Sequence, residues 1–484
     1  MNKPRNIALV ATLLTASLAL LVGNRTVIAH IPYYYMQFLP VNALRDDPVR
    51  SIAYLHSQLP LENTAFAIIV NLFRYTTADP PYVNDFWKGD TYWIGVVIKQ
   101  IITLYLYSYA LARTFCHLFG KRFGAIGVII IALLPSSLMY FLFPYSALTS
   151  AALYGIIVSI MLCENNAARR LMLAAPCIAA LALSHNLFSY LATFPLALIY
   201  LADLVANHRK VTKRLMGMSL FVLALPIAWS IKNYLIFDIT SLTSWSGCAL
   251  GQSITAVLQN QQTVGNGVQD GWASAFKNIQ VAPTYHPNQV YDKPIVLNQR
   301  MKGEGVRNWN HISVVKSCKE SYSYNAQLLR QDPELRRQLL ASIQKRFAYS
   351  LGRVGSQFNC AGCDFSYKDL GFEWYGRIIE GLYKNTLMPA IVSLWHLVLW
   401  YGSPAIAGMF FLRSSRPRLA AAMFAVLVVN ILQSTMAVSL STIENERMLW
   451  MLDNASMQTL CTAIFLAISS RSPHPERTVQ SRTS

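Results

Sequence analysis

The amino-acid sequence predicts an all-α polytopic membrane protein of about ten transmembrane helices, with juxtamembrane helices and a mixed outer-face domain. Three observations predict it. First, 54% of the 484 residues are hydrophobic and only 13% are charged, with a mean hydropathy of +0.33; soluble domains are about a quarter charged. Second, apolar windows close to the roughly 20 residues needed to span a bilayer recur along the chain. Third, every second loop between those windows is basic. The basic stretches are Lys3/Arg5, Arg113–Arg122, Arg169/Arg170, Arg209–Arg214, Arg413–Arg418 and the tail from Arg471. Their only acids are Glu164 and Glu476, so they carry most of the formal net charge of +18. Basic loops mark the cytoplasmic side of a polytopic protein. The sequence pI near 9.6 therefore reflects topology, and no nucleic-acid partner is expected.

The spans are expected near 7–23, 91–112, 123–139, 145–163, 170–185, 187–205, 215–232, 388–412, 419–438 and 453–470, with both termini cytoplasmic. The pair over 170–205 has to turn at Ser184–Asn186. The first segment has a basic start and an apolar stretch ending at Ala29, as a signal peptide does. Its apolar run is long for that, and an uncleaved anchor is expected. The chain divides into an N-terminal transmembrane module, 1–233, with a first outer loop at 24–90. An outer-face, periplasmic domain covers 234–387, and C-terminal transmembrane helices with a cytoplasmic tail cover 388–484. The expected location is a bacterial inner (plasma) membrane.

Within the first outer loop, Ala65–Phe73 is too short to span and reads as a juxtamembrane helix, ended by Pro80-Pro81. In the outer domain, residues 245–315 are rich in Gly, Asn, Gln and Pro and read as irregular chain. Residues 319–350 read as helical: Asp332 is a good N-cap, Pro333 suits the first helical position, and Leu335, Leu339, Leu340, Ile343 and Phe347 follow at helical spacing. Cys248, Cys318, Cys360 and Cys363 fall in this outer domain, and Cys116, Cys163, Cys177 and Cys461 in spans or on the inner side. Four cysteines in an oxidising compartment predict up to two disulfides, with three connectivities open. Cys360 and Cys363 also have the spacing of a redox or zinc half-site, but no second such pair accompanies them.

Several charged residues sit where chemistry just outside a membrane would need them. Asp46 and Asp47 lie in LRDDPVRSIAYLHSQLPLEN (44–63). An acid there suits a general base for an acceptor hydroxyl or a ligand for a divalent cation; Asp47 before Pro48 equally suits a helix cap. His56 and Glu62 follow in the same run, His56 as a substrate contact or as a structural residue. Lys232, in AWSIKNYLIF (228–237), ends a span on the outer side, against the usual charge bias. It suits the phosphate of a lipid carrier, or a snorkelling role. Glu444, Glu446 and Arg447 precede the last span in ENERMLW (444–450) and call for pairing or a cavity. They suit a phosphate contact with its ion pair, or an interfacial anchor. His185 and Asn186 sit at a turn between spans and suit its backbone.

Together these segments resemble integral-membrane glycosyltransferases of the GT-C class, in particular bacterial relatives of protein O-mannosyltransferases and of the lipid A aminoarabinose transferase. Four places carry the resemblance, in order along most of the chain. They are RDDPVRSIAYLHSQLPLEN, LPIAWSIKNYLIFDITSLTSWSGCAL (225–250), KPIVLNQRMKGEGVRNWNHISVVKSCKESYSYNA (293–326) and ENERMLWMLD (444–453). The resemblance implies a GT-C-like fold. It also implies transfer of a sugar from a polyprenyl-phosphate-linked donor to a glycan, lipid or protein acceptor on the outer face. Asp47 or Asp46 would assist the acceptor; Lys232 and Arg447 would meet the donor phosphate, with His56 and Glu444 beside them. The chain departs from related enzymes in SSLMYFLFPYS (136–146), which has no carboxylate where another acid is often found. A divalent cation is thus an open expectation and no other cofactor is implied. The competing expectation is a non-enzymatic membrane protein, either a transporter or an assembly factor that binds a glycan or lipid. The scarcity of ionisable residues inside the spans weighs against transport.

Overall fold

The computed structural model describes residues 3–24, 27–28, 38–73, 92–164, 166–184, 197, 200–201, 204–205, 213–244, 248, 254, 295–299, 301–303, 306–351, 370–383 and 387–398. Helix dominates them, and the strands among the described residues are one short antiparallel pair, β1 (Met301–Gly303) and β2 (Val306–Arg307). Among the described residues four helices are long and apolar enough to cross a membrane, or five if one bent pair forms a single span. The expected spans at 419–438 and 453–470, most of 187–205 and the far half of 388–412 lie outside the described residues.

The first span is α1 (Pro4–Val22). Its buried positions Ile7, Ala8, Ala11, Thr12, Thr15, Ala16 and Ala19 recur at three- and four-residue spacing. Their small size lets another helix approach closely, the packing that works where apolar burial supplies no drive between helices. Leu13, Leu21 and Val22 point outward and stay exposed, as lipid-facing residues do. Three short helices follow: α2 (Val41–Asp46), α3 (Pro48–Ala53) and α4 (Pro60–Leu72). The last covers the expected juxtamembrane helix.

Helix α5 (Tyr92–Ala132) covers the expected span at 91–112 and the first part of the one expected at 123–139. At Gly120 the backbone has φ 78° and ψ 167°, a conformation that glycine alone adopts without cost. There the chain folds back on itself. A Cβ at Gly124 would lie 2.7 Å from the backbone nitrogen of Cys116, and one at Gly127 would lie 3.1 Å from Phe115. Glycine at 124 thus permits backbone contact between the two limbs. Thr15 Oγ1 lies 2.8 Å from both Ala11 O and Ala132 O, which ties α1 to the second limb. That limb continues into α6 (Pro135–Leu142) through a 59° bend.

Then come α7 (Ser146–Cys163) and α8 (Ala167–Ala182), joined by a Ser150–Ser184 hydroxyl contact of 2.8 Å. Helix α8 contains Pro176 and, at 16 residues, falls short of a full span. Helix α9 (Lys213–Phe237) packs on α8. Phe221, Ile227, Ile231 and Leu235 on it are exposed, which is unfavourable in water and ordinary in lipid. The outer segment supplies α10 (Ile295–Asn298), α11 (Ile312–Gln331) and α12 (Pro333–Leu351). Asp332 caps α12, accepting from Leu335 N at 2.9 Å. The described part closes with α13 (Glu373–Tyr383) and α14 (Leu387–Leu397).

The two ends of this bundle differ in chemistry. At one end, Arg113 and Arg169 approach Glu164 at 3.2 and 3.8 Å, and Arg170 donates to Glu164 O at 2.9 Å. Two of the basic stretches therefore meet. Lys99 begins the same α5 limb, fourteen residues before Arg113, or roughly 21 Å along a helix. At that opposite end the first outer loop and the outer segment pack onto the span ends. Gln58 accepts from Tyr145 at the start of α7, Leu61 N donates to Leu183 O after α8, and Asn24 N after α1 donates to Leu370 O.

Candidate functional site at the outer end of the bundle

The site is built where α9 ends. Asp238 has φ 55°, a left-handed conformation that Asp tolerates better than most residues, and it turns the chain back over the helix. Asn233 Nδ2 then donates to Ser241 O and Leu242 O at 3.2 and 2.7 Å, and Trp229 Nε1 donates to Leu242 O at 3.1 Å. These bonds hold segment 239–244 against the helix end and present Ser244 to the first outer loop.

His56 is the centre of that contact and is fully buried. Its backbone N–H donates to Asn310 Oδ1 at 2.8 Å, and Ser57 N donates to the same oxygen at 3.1 Å. Asn310 Nδ2 returns a bond to Tyr54 O at 3.2 Å. The imidazole Nε2 lies 3.0 Å from Asn310 O, and Nδ1 lies 2.9 Å from Ser244 Oγ. A carbonyl only accepts, so Nε2 carries the proton and Nδ1 accepts from the serine. Burial, reinforced by the charge of Lys232, pushes the His56 pKa down to about 3, so the ring is neutral. Both ring nitrogens are engaged, which makes His56 a fastener between the two outer regions. This is the structural role that the sequence left open beside a substrate contact.

Lys232 sits beside this fastener. Its Nζ donates to Leu55 O at 2.6 Å and lies 3.7 Å from the centre of the Trp229 ring. The carbonyl and the aromatic face are both contacts that a lysine side-chain nitrogen makes. Other described cations have acid partners: Arg45 has Asp46, Lys99 has Glu62 and Lys319 has Asp238. Among the described residues no carboxylate pairs with Lys232. An ammonium has three N–H donors, and the carbonyl takes one.

The structure thus brings together His56 and Lys232, and it keeps the acids at the far end of α3. Asp47 Oδ1 accepts from Arg50 N at 3.2 Å and caps α3, the capping role its place before Pro48 suits. Arg45 donates to both oxygens of Asp46, at 2.7 and 3.2 Å, and this bond holds the Asp46 carboxyl below the usual range. Among the described residues no hydrogen bond joins either acid to His56 or Lys232. Glu444, Glu446, Arg447, His185, Asn186, Cys360 and Cys363 lie outside the described residues. Cys248 and Cys318 form a disulfide, one of the pairings left open above. Among the described residues no three His, Cys, Asp or Glu side chains group as metal ligands.

Two features escaped the sequence reading. One is Asn310, whose clamp on residues 54–57 joins positions more than 250 residues apart. The other is Lys99, which donates to Glu62 Oε2 at 2.7 Å, to Gln100 Oε1 at 3.2 Å and to Thr149 Oγ1 at 3.3 Å. A signal for Lys99 existed: a lone Lys-Gln pair inside an apolar span is a functional candidate by default. No family model, curated protein or solved structure matches this chain. The class defined here is therefore a coarse one: the described residues are mostly helical, with four to five helices among them long and apolar enough to cross a membrane.

Proposed function

We propose that the protein is a GT-C-like, multi-pass membrane glycosyltransferase of about ten spans. It would sit in a bacterial inner membrane with both termini cytoplasmic, and move a sugar from a polyprenyl-phosphate carrier to an acceptor on the outer face. The observation that carries the reading is Lys232. It is an ammonium near a span end without an acid partner among the described residues, bound to Leu55 O of the first outer loop and seated over the Trp229 ring of its own helix. A phosphate at the membrane surface is the anion such a cation fits.

The reaction on this reading is an inverting transfer. The acceptor hydroxyl attacks the anomeric carbon as its proton passes to Asp47. The bond from that carbon to the phosphate oxygen breaks, and Lys232 and Arg447 take up the charge left on the phosphate. Asp47 spends one oxygen on the α3 cap, and its second has no partner among the described residues. A lipid phosphate is a good leaving group and needs no strong general acid. The test is the double variant Asp46→Asn/Asp47→Asn, assayed with a panel of polyprenyl-phosphate-linked sugars. Loss of donor consumption is expected, and consumption at the wild-type rate would overturn the assignment.

A second reading, a non-enzymatic protein that binds or moves a glycan or lipid, is favoured by one observation. Lys99 places an ion pair with Glu62 beside a span, where carriers hold polar groups. Substrate movement across vesicles with the sugar–phosphate bond intact would select it.

A further inference from the structure

Glu62 is the least satisfied charged group among the described residues. Its side chain is 3% exposed. One carboxylate oxygen, Oε2, accepts from Lys99; the other, Oε1, is buried and has no hydrogen-bond partner. An ionised carboxylate oxygen buried without a donor is costly, and such groups call for an explanation. Glu62 and Lys99 line a cleft between α4 and α5 whose other walls include Phe38, Phe66, Ile69 and Val96. Its enclosed space admits about one water-sized group.

We propose that this cleft binds the neutral hydroxyl head of an amphiphile, with the hydroxyl donating to Glu62 Oε1 and the chain leaving past Ala65 over the exposed Leu72 and Ile102. The charge balance selects the head. The carboxylate repels an anion, and Lys99 already neutralises it and is itself committed to three acceptors. A second cation would therefore meet a pair of zero net charge and a like charge nearby. A neutral O–H supplies the missing bond at no charge cost. The surroundings select the tail. Leu72 and Ile102 continue the faces of α4 and α5 that carry Ala65 and Lys99, and they are 72% and 54% exposed. The cleft mouth is thus continuous with apolar surface that faces lipid. Nothing in this assignment depends on sugar transfer.

The test uses the full chain in lipid nanodiscs and a long-chain alcohol bearing a photoreactive diazirine, with crosslinks mapped by peptide mass spectrometry. Saturable labelling within 60–72 and 92–102 is expected. Dodecanol should compete about tenfold better than dodecyl methyl ether, which lacks the donor. Glu62→Gln should remove that discrimination. Ala65→Phe, which fills the cleft and keeps the ion pair, should abolish labelling even if Glu62→Gln fails to fold. Equal competition by the ether would show an apolar groove only, and stronger competition by dodecylamine would show a cation site. Absence of saturable labelling would show that water alone meets Glu62. Each of these three results overturns the proposal.

Discussion

Replacing Asn310 with alanine tests the join between the two outer regions. The side chain makes three bonds: its Oδ1 accepts from His56 N at 2.8 Å and Ser57 N at 3.1 Å, and its Nδ2 donates to Tyr54 O. His56 and Ser57 are 0% and 2% exposed, so water cannot replace the lost acceptor without opening the loop. Two buried N–H groups left unsatisfied at roughly 1–3 kcal/mol each give a destabilisation of about 2–6 kcal/mol. Gln338→Ala on exposed α12 is a matched control, expected within about 0.5 kcal/mol of wild type. The assay is reversible unfolding in mild detergent, paired with hydrogen exchange of the amides at 56 and 57. Those amides should exchange far faster in Asn310→Ala and stay protected in the control. If Asn310→Ala unfolds as wild type does and the two amides remain slow, the clamp does not hold the loop and the reasoning fails.

Three further outcomes follow from named contacts. Breaking the buried pair by Glu62→Gln or Lys99→Met should each cost about 3–5 kcal/mol, and the double variant less than the sum, because each single change strands a buried partner; a double-mutant unfolding cycle reads this. His56 has its pKa depressed to about 3 in the fold against about 6.5 unfolded. Its contribution is therefore full above pH 6.5 and is lost as pH falls toward 3, at up to about 1.4 kcal/mol per pH unit. His56→Gln should flatten the stability profile between pH 4 and 7 by about one proton relative to wild type. The Cys248–Cys318 disulfide bridges a sequence separation of 70 and should contribute about 4 kcal/mol in the chain-entropy account. Reduction, or the Cys248→Ser/Cys318→Ser variant, should lower stability by that order and leave labelling of Cys116 at its wild-type level.

What the sequence revealed and what it hid divide by the range of the interactions. Helix α1, α7 and α9 were readable because a span announces itself in a continuous apolar run. The start of α12 was readable because Asp332 and Pro333 act on their own neighbours. Asp47 was readable as a cap for the same reason. The turn between the two limbs of α5 is shorter than the basic loop suggested. Helix continues to both sides of Gly120, and the single positive φ does the turning. The partners of His56, Lys99 and Lys232 were not readable. Glu62, Leu55 and Asn310 lie 37, 177 and 254 residues from Lys99, Lys232 and His56, and their meeting depends on how whole helices pack. His56 illustrates the limit: spacing near acids suited a substrate contact, and only tertiary packing shows both ring nitrogens already committed.

The most direct measurement of the central claim is turnover of a polyprenyl-phosphate-linked sugar by the full chain in proteoliposomes, compared with Lys232→Met. The donor phosphate gains charge as its bond to the sugar breaks, so loss of a positioned ammonium should lower turnover by about a hundredfold. Free polyprenyl phosphate should appear in step with glycosylated acceptor. A donor that crosses the membrane or stays bound with its sugar–phosphate bond intact would contradict the account, as would equal turnover by the wild type and Lys232→Met.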